Sequence, residues 1–253
     1  MKHTLMALLG LAACTFASAQ TCSGRSPPHT VALLELYTSE GCSSCPPADR
    51  FVSALRAAGV TAAQAVPLSL HVDYWNDIGW KDPFSGAAFT ARQRSLSGLA
   101  GSRTVYTPEI FVGGRELRNW SAGVADAVKR VNATPARAAI AITLGRPGAA
   151  GLPVEVSASA PAGALLQVAL VQNNVSSKVT AGENGGRVLR HDFVVRQWLA
   201  KVPVGHDAHA QLARVLALPA GAAAADLAVS AFVESAAGEP LQAFSLPLCA
   251  PAG

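Results

Sequence analysis

Two cysteines three residues apart, Cys42 and Cys45, lie in the stretch VALLELYTSEGCSSCPPAD (31–49), where an apolar run gives way to a segment with helical character. At the start of a helix, free N–H groups and the positive end of the peptide dipole favour a thiolate over a thiol, so the first cysteine of such a pair becomes nucleophilic. The chemistry this suits is disulfide exchange, in which the Cys42 thiolate attacks a disulfide and Cys45 resolves the mixed disulfide. The same sulfurs could instead close a permanent structural disulfide or, when reduced, bind a metal. Cys42 precedes the helix and is expected to be the accessible thiol, with Cys45 drawn under the first turn.

Two further patches carry candidate chemistry. The segment AVPLSLHV (65–72) reads as a strand and runs into Asp73, Tyr74 and Trp75. In a right-handed β-α-β unit the loops after parallel strands open on one sheet edge, so His71 or Asp73 should share that edge with the thiols. His71, Asp73 and Trp75 are therefore accessory candidates, and Cys42, Cys45 and His71 together would make a soft two-sulfur, one-nitrogen site suited to Cu(I). Thr107-Pro108 comes just before the apolar Glu109–Val112 run. A proline there is a candidate for a cis peptide bond, which would present the Thr107 backbone to a substrate chain pairing as an added strand.

The elements that must position these groups alternate in the first half of the chain. Residues 30–37 read as a strand, 47–58 as a helix with Phe51, Leu55 and Ala58 on one face, and 65–72 as a parallel strand. Asp82-Pro83 reads as the N-cap and first residue of a helix reaching about Leu99. Residues 109–112 read as a strand that hairpins through Gly113-Gly114, and 121–131 as a closing helix. Beyond Thr134-Pro135 the pattern becomes short apolar runs (138–144, 153–158, 165–172, 188–196, 227–234, 241–248) parted by Gly, Pro and Asn, as in an antiparallel sandwich. The expected organisation is a leader (1–19), an α/β domain (20–134) and an all-β sandwich-like domain (135–253). GENGG (182–186) reads as a hairpin turn, because Asn-Gly supplies the positive φ angles such turns need and the spacing is not that of a phosphate loop.

The first residues fit export. Lys2 precedes an apolar core from Leu5 to Ala13, and Ala17-Ser18-Ala19 forms a small-residue cleavage site, giving a periplasmic or secreted protein that begins at Gln20. Leu11-Ala12-Ala13-Cys14 offers the alternative of a lipoprotein acylated at Cys14. Loss of Lys2 lowers the formal charge from +4 to +3, and the basic residues are scattered, which argues against nucleic acid and against a membrane-surface patch. No other stretch suggests a membrane span. Cleavage leaves Cys22, Cys42, Cys45 and Cys249. If Cys42 and Cys45 pair locally, Cys22 and Cys249 remain to tether the two ends, a closure that contributes about 4 to 5 kcal/mol in the chain-entropy model.

Taken in order, ELYTSEGCSSCPPADR, SLHVDYWNDIGWKDPF, VYTPEIFVGG and GENGGRVLRHDFVVR resemble the exported thioredoxin-like family known as domain of unknown function twelve twenty-three, over most of the mature chain. The resemblance implies an α/β thioredoxin-like domain followed by the sandwich. It assigns Cys42 as attacking thiolate, Cys45 as resolving thiol and Pro108 as the cis-proline beside them, with Thr107 and Pro108 binding substrate. Protein thiols or disulfides would be the partners, an upstream redox protein would reset the pair, and no organic cofactor would be needed. Gly41 stands where thioredoxins usually have an aromatic residue. Glu35 matches in type the buried acid that assists the resolving cysteine, but lies seven residues before Cys42 rather than six, which on an ideal strand puts it on the opposite face. The readings left open are an oxidoreductase, a copper-binding chaperone, and a non-catalytic interaction module stapled by its CxxC disulfide.

Overall fold

A computed structural model describes residues 21–249; the expected leader, including Cys14, lies outside the described residues. Among these residues the chain forms helices α1 (Pro46–Ser53), α2 (Ala87–Leu99) and α3 (Trp120–Asn132) with strands in three sheets, a mixed α/β architecture. Four strands, β1 (Cys22–Arg25), β6 (Ala139–Leu144), β7 (Leu152–Ser159) and β13 (His209–Leu216), form one sheet in the order β1-β6-β7-β13. The largest sheet contains β2 (Ala32–Thr38), β3 (Ala65–His71), β4 (Glu109–Val112), β5 (Arg115–Glu116), β8 (Leu165–Gln172), β11 (Val194–Trp198), β12 (Val202–Pro203), β14 (Leu227–Glu234) and β15 (Pro240–Pro247). Its order is β15-β14-β8-β11-β3-β2-β4-β5, with β12 paired to β8. A separate antiparallel hairpin joins β9 (Val175–Lys178) to β10 (Val188–His191).

Strand β2 is buried at every position, Glu35 and Thr38 included, because both of its faces are covered. Ala32, Leu34 and Leu36 pack against Ala48 and Val52 of α1 and Val124 and Val128 of α3. Leu33 and Tyr37 face Phe89 and Leu96 of α2. Parallel pairing with β3, from Ala32 opposite Ala65 to Thr38 opposite His71, brings the C-terminal ends of both strands to one edge. Strand β7 instead alternates buried and exposed residues along LPVEVSAS, as a strand with one wet face should. Its Val154 and Val156, with Ile140 and Ile142 of β6, share a core with Leu166, Val168, Val229 and Ala231 of β8 and β14.

The division expected after Thr134 marks a change of pattern but not a break in the structure. Strand β1, from the first half, pairs with β6. Strand β11, from the second half, pairs parallel to β3 and antiparallel to β8. An uncovered β3 edge would present unpaired backbone groups, and β11 engages that edge at Ser69, opposite Val194, where the Ser69 N–H donates to the Phe193 carbonyl at 2.8 Å. The run expected as one strand over 188–196 accordingly divides at Asp192-Phe193, where Phe193 takes φ 57°, into β10 and β11 in different sheets. The halves are also tied by Arg92 of α2, whose guanidinium donates to Glu35 of β2 at 2.5 Å and to Glu234 of β14 at 2.9 Å and lies 4.7 Å from the Phe232 ring centroid. Cys22 and Cys249 form a disulfide with their Cα atoms 5.8 Å apart. Among the described residues, no helix is long and apolar enough to cross a membrane.

Candidate functional site

The loop from Ser39 to Cys45 turns the chain from β2 into α1. The Gly41 N–H donates to Ser39 Oγ and the Cys42 N–H to the Ser39 carbonyl, each at 3.1 Å. A Cβ on Gly41 would lie 3.3 Å from both the Cβ and the carbonyl oxygen of Trp75, so the close Trp75 loop accounts for the small residue before Cys42. Cys42 and Cys45 form a disulfide with Cα atoms 5.5 Å apart. Cys45 is the N-cap of α1, and Pro46 and Pro47 occupy its first positions. Neither proline has an N–H, and the next two amides, of Ala48 and Asp49, donate to the Cys45 carbonyl at 2.9 and 3.1 Å. The helix end therefore offers these sulfurs less than a proline-free helix would.

What does stand beside Cys42 is the segment before β4. Its Sγ lies 3.8 Å from the Thr107 carbonyl oxygen and 3.3 Å from Ser44 Oγ, and Ser44 Oγ is 3.4 Å from the same carbonyl. The Thr107-Pro108 peptide bond is cis. Gln93 of α2 holds this segment by donating to the Tyr106 carbonyl at 2.8 Å and to Glu109 at 2.6 Å; burial pushes the Glu109 carboxyl above its ordinary value. Both cysteines have 0% exposure, whereas Ser43 and Ser44 between them are exposed. In this oxidised state Thr107 and Ser44 lie against the buried Cys42; the accessible thiol expected from the sequence belongs to the reduced protein.

Behind the disulfide lies a buried polar group that joins four segments. Asp82 Oδ2 is 2.7 Å from His71 Nδ1 and accepts the Glu40 N–H at 2.8 Å, while Asp82 Oδ1 accepts the Phe84 N–H at 2.8 Å. Burial opposes ionisation of both partners, but their mutual attraction prevails, raising His71 above its usual value and lowering Asp82 below its own. The Glu40 carboxylate is also met by Trp80 Nε1 at 2.9 Å, Ser177 Oγ at 3.2 Å and His191 Nε2 at 3.2 Å. The His71 and His191 rings lie 5.0 Å apart. Asp49 of α1, its carboxyl pushed up by burial, approaches His191 Nδ1 at 3.9 Å. Asp82 is therefore not the cap of α2, as expected from Asp-Pro; Gly86 is, and its N–H donates to the His71 carbonyl at 3.0 Å.

The second half of the chain holds the CxxC loop directly. At the tip of the β9-β10 hairpin, the buried Asn184 amide donates to the carbonyls of Glu40 and Cys42, both at 2.9 Å. The neighbouring Glu183 carboxylate accepts the Ser43 N–H at 2.9 Å. A trough of about 500 Å³ begins beside Ser43 and is lined by Pro46, Pro47, Arg50, Arg187, Val188 and Leu189. A larger cleft of about 710 Å³, lined by Val31, Val112 and Val131, sits at the opposite end of β2 and shares none of these groups.

The sequence-derived candidates separate accordingly. Cys42, Cys45, Thr107 and Pro108 meet at one place, and His71 joins the polar group behind it. Asp73 is engaged elsewhere, accepting the Thr90 hydroxyl of α2 at 2.5 Å. Trp75 packs on Gly41, and Glu35 is bound to Arg92 and to the Tyr37 hydroxyl at 3.1 Å. For the copper alternative, His71 Nδ1 is taken by Asp82 and Nε2 is buried with no partner; among the described residues, no group of three His, Cys, Asp or Glu side chains is arranged to hold a metal ion. Glu40, Asp49, Asp82, Glu183, Asn184 and His191 were not anticipated. Of these, Glu40 beside Gly41 in the CxxC stretch was the visible signal.

In fold, the chain is similar to the X-ray crystal structure of an Agrobacterium tumefaciens protein, with a TM-score of 0.61 and 24% identity over 89% of this chain and 97% of that one. It is also similar to HBP35 of Porphyromonas gingivalis, with a TM-score of 0.64 and 16% identity over 88% of this chain and 76% of that one. No curated protein matches it. A family model described as "Protein of unknown function (DUF1223)" matches residues 33–234, and this protein belongs to that family.

Proposed function

We propose that this protein is an exported, thioredoxin-like thiol–disulfide oxidoreductase acting on the cysteines of other proteins. The observation that carries the reading is the position of the Cys42-Cys45 disulfide at the exit of β2, with the Thr107 carbonyl 3.8 Å from Cys42 Sγ. In the reduced enzyme, the Cys42 thiolate attacks one sulfur of a substrate disulfide and the other leaves as a thiolate. Cys45, losing its proton, then attacks Cys42 Sγ; this re-forms the internal disulfide and releases the second substrate thiolate. Two electrons pass to the substrate, and a dithiol partner returns them. The exposed Ser43 and Ser44 and the adjoining trough give a substrate chain a place to approach, once the loop has moved enough to uncover Cys42.

Complete burial of both sulfurs favours a second reading, a permanent staple that supports an interaction module. Equilibration of the folded protein with glutathione mixtures, acid quenching and peptide mapping separate the two. The oxidoreductase reading expects reversible titration of Cys42-Cys45 and transfer to a protein disulfide that is lost in Cys42→Ser. A pair that stays oxidised while the fold persists in fully reducing buffer overturns it.

A further inference from the structure

The hairpin tip 182–186 is more than a turn, because it reaches the backbone amide of Ser43, the residue that follows Cys42. Four facts converge there. The Ser43 N–H is bound by Glu183 Oε2 at 2.9 Å. Asn184, with 0% exposure, fixes the backbone on both sides of Gly41 through the carbonyls of Glu40 and Cys42. Pro46 and Pro47 remove two amides that would otherwise face the loop. The hydrogen-bonding contacts of Cys42 Sγ are with the Ser44 hydroxyl and the Thr107 carbonyl, and of these two only the first can donate.

We propose that Glu183 is a positioning residue that holds down the reactivity of Cys42, by engaging the Ser43 amide and so fixing a carboxylate on the residue that follows the developing thiolate. This rests on the exchange reading given above. When a dithiol substrate is oxidised to its disulfide, its two electrons and one proton pass to the Cys42-Cys45 bond and its second proton is lost to solvent, leaving Cys45 as a thiol and Cys42 as a thiolate. The negative sulfur then has the Ser44 O–H as its donor, while the Ser43 N–H stays with Glu183. Asn184 holds the loop through main-chain carbonyls, which reduction does not alter, so opening the disulfide does not by itself displace the carboxylate. Its own ionisation is favoured by the Ser43 bond, which lowers the Glu183 carboxyl from its ordinary value, so the opposing charge is present at neutral pH. The pair is thereby poised toward the disulfide, and Cys42 toward slow attack.

The test is the pH dependence of Cys42 alkylation in a Cys45→Ser background, with and without Glu183→Gln. Glutamine keeps an oxygen for the Ser43 N–H but removes the charge. The apparent Cys42 pKa is expected to fall by about half a unit, a roughly threefold gain in thiolate near neutrality, and the difference should shrink in high salt. Glu155→Gln, on the exposed face of β7, removes the same net charge at a distance and should leave the pKa where it was. An unshifted pKa in folded Glu183→Gln, or an equal shift in Glu155→Gln, overturns the inference while leaving the exchange reading intact. A shifted pKa in a protein that transfers no electrons to protein disulfides upholds the role of Glu183 and overturns the exchange reading.

Discussion

Replacing Asn184 by alanine should loosen the CxxC loop more than any other single change outside it. The wild-type amide gives one N–H to the Glu40 carbonyl and one to the Cys42 carbonyl, at 2.9 Å each, from a side chain with no exposed surface. Each net hydrogen bond is worth about 0.5–1.5 kcal/mol, and a buried carbonyl left without a donor costs about 1–3 kcal/mol unless water reaches it. Alanine leaves a gap beside both carbonyls that admits some solvent, which puts the expected loss at about 2–4 kcal/mol. For a chain of this size that corresponds to a fall in Tm of about 5–15 °C. Asn184→Asp should be at least as damaging, since a carboxylate of the same shape turns acceptors toward the two acceptors. Thermal unfolding of the oxidised proteins followed by circular dichroism measures the stability. The rate at which dithiothreitol reduces Cys42-Cys45 reports the loop itself and should rise in both variants. If Asn184→Ala melts within a degree of wild type and is reduced at the same rate, the two bonds do not hold the loop and the reasoning is wrong.

Arg92→Met should cost about 3–5 kcal/mol in urea denaturation, because it leaves Glu35 without its cation in a fully buried setting; adding Glu35→Gln should recover part of the loss, and no recovery would mean that the unpaired Glu35 charge is not the source of the cost. The His71–Asp82 pair predicts a pH signature. His71 is raised in the folded state, so its contribution is full below the ordinary 6.5 and is lost as pH rises through the folded value; Asp82 is lowered, so its contribution is full above 3.8 and is lost as pH falls through its own folded value. The Tm difference between wild type and His71→Gln should therefore be greatest between about pH 4 and 6.5 and should narrow toward alkaline pH; a difference that is flat from pH 5 to pH 9 would contradict the pairing.

The features legible in the sequence were those with a local signature. The apolar stretch 31–37, broken only by Glu35, marks β2 as a strand, and the Gly113-Gly114 pair marks the β4-β5 hairpin. Cys42 and Cys45 declare themselves by spacing. Asp82 misled because Asp-Pro is a strong local sign of a helix start, and nothing nearby shows that His71 competes for the same carboxylate. Glu183 and Asn184 were legible only as turn residues, since their partners lie about 140 positions earlier and leave no periodic trace. The same distance hid the insertion of β11 beside β3: an apolar strand does not state which edge it will join.

That insertion bears on the order in which the molecule can be completed. The Ser69 hydroxyl of β3 donates to the Asp192 carbonyl, 123 positions later, so while the chain is being made β3 waits with an open edge until more than half of the remaining sequence has appeared. Loop closures of this length are slow, and an unpaired edge invites association with other chains in the interval. Cys22 waits longer still, because its partner Cys249 is the last cysteine to arrive, while Cys42 and Cys45 stand ready beside each other from the start. Early oxidation of the local pair keeps both of its sulfurs from capturing Cys22, so a disulfide read here as catalytic equipment would also protect the correct joining of the chain ends.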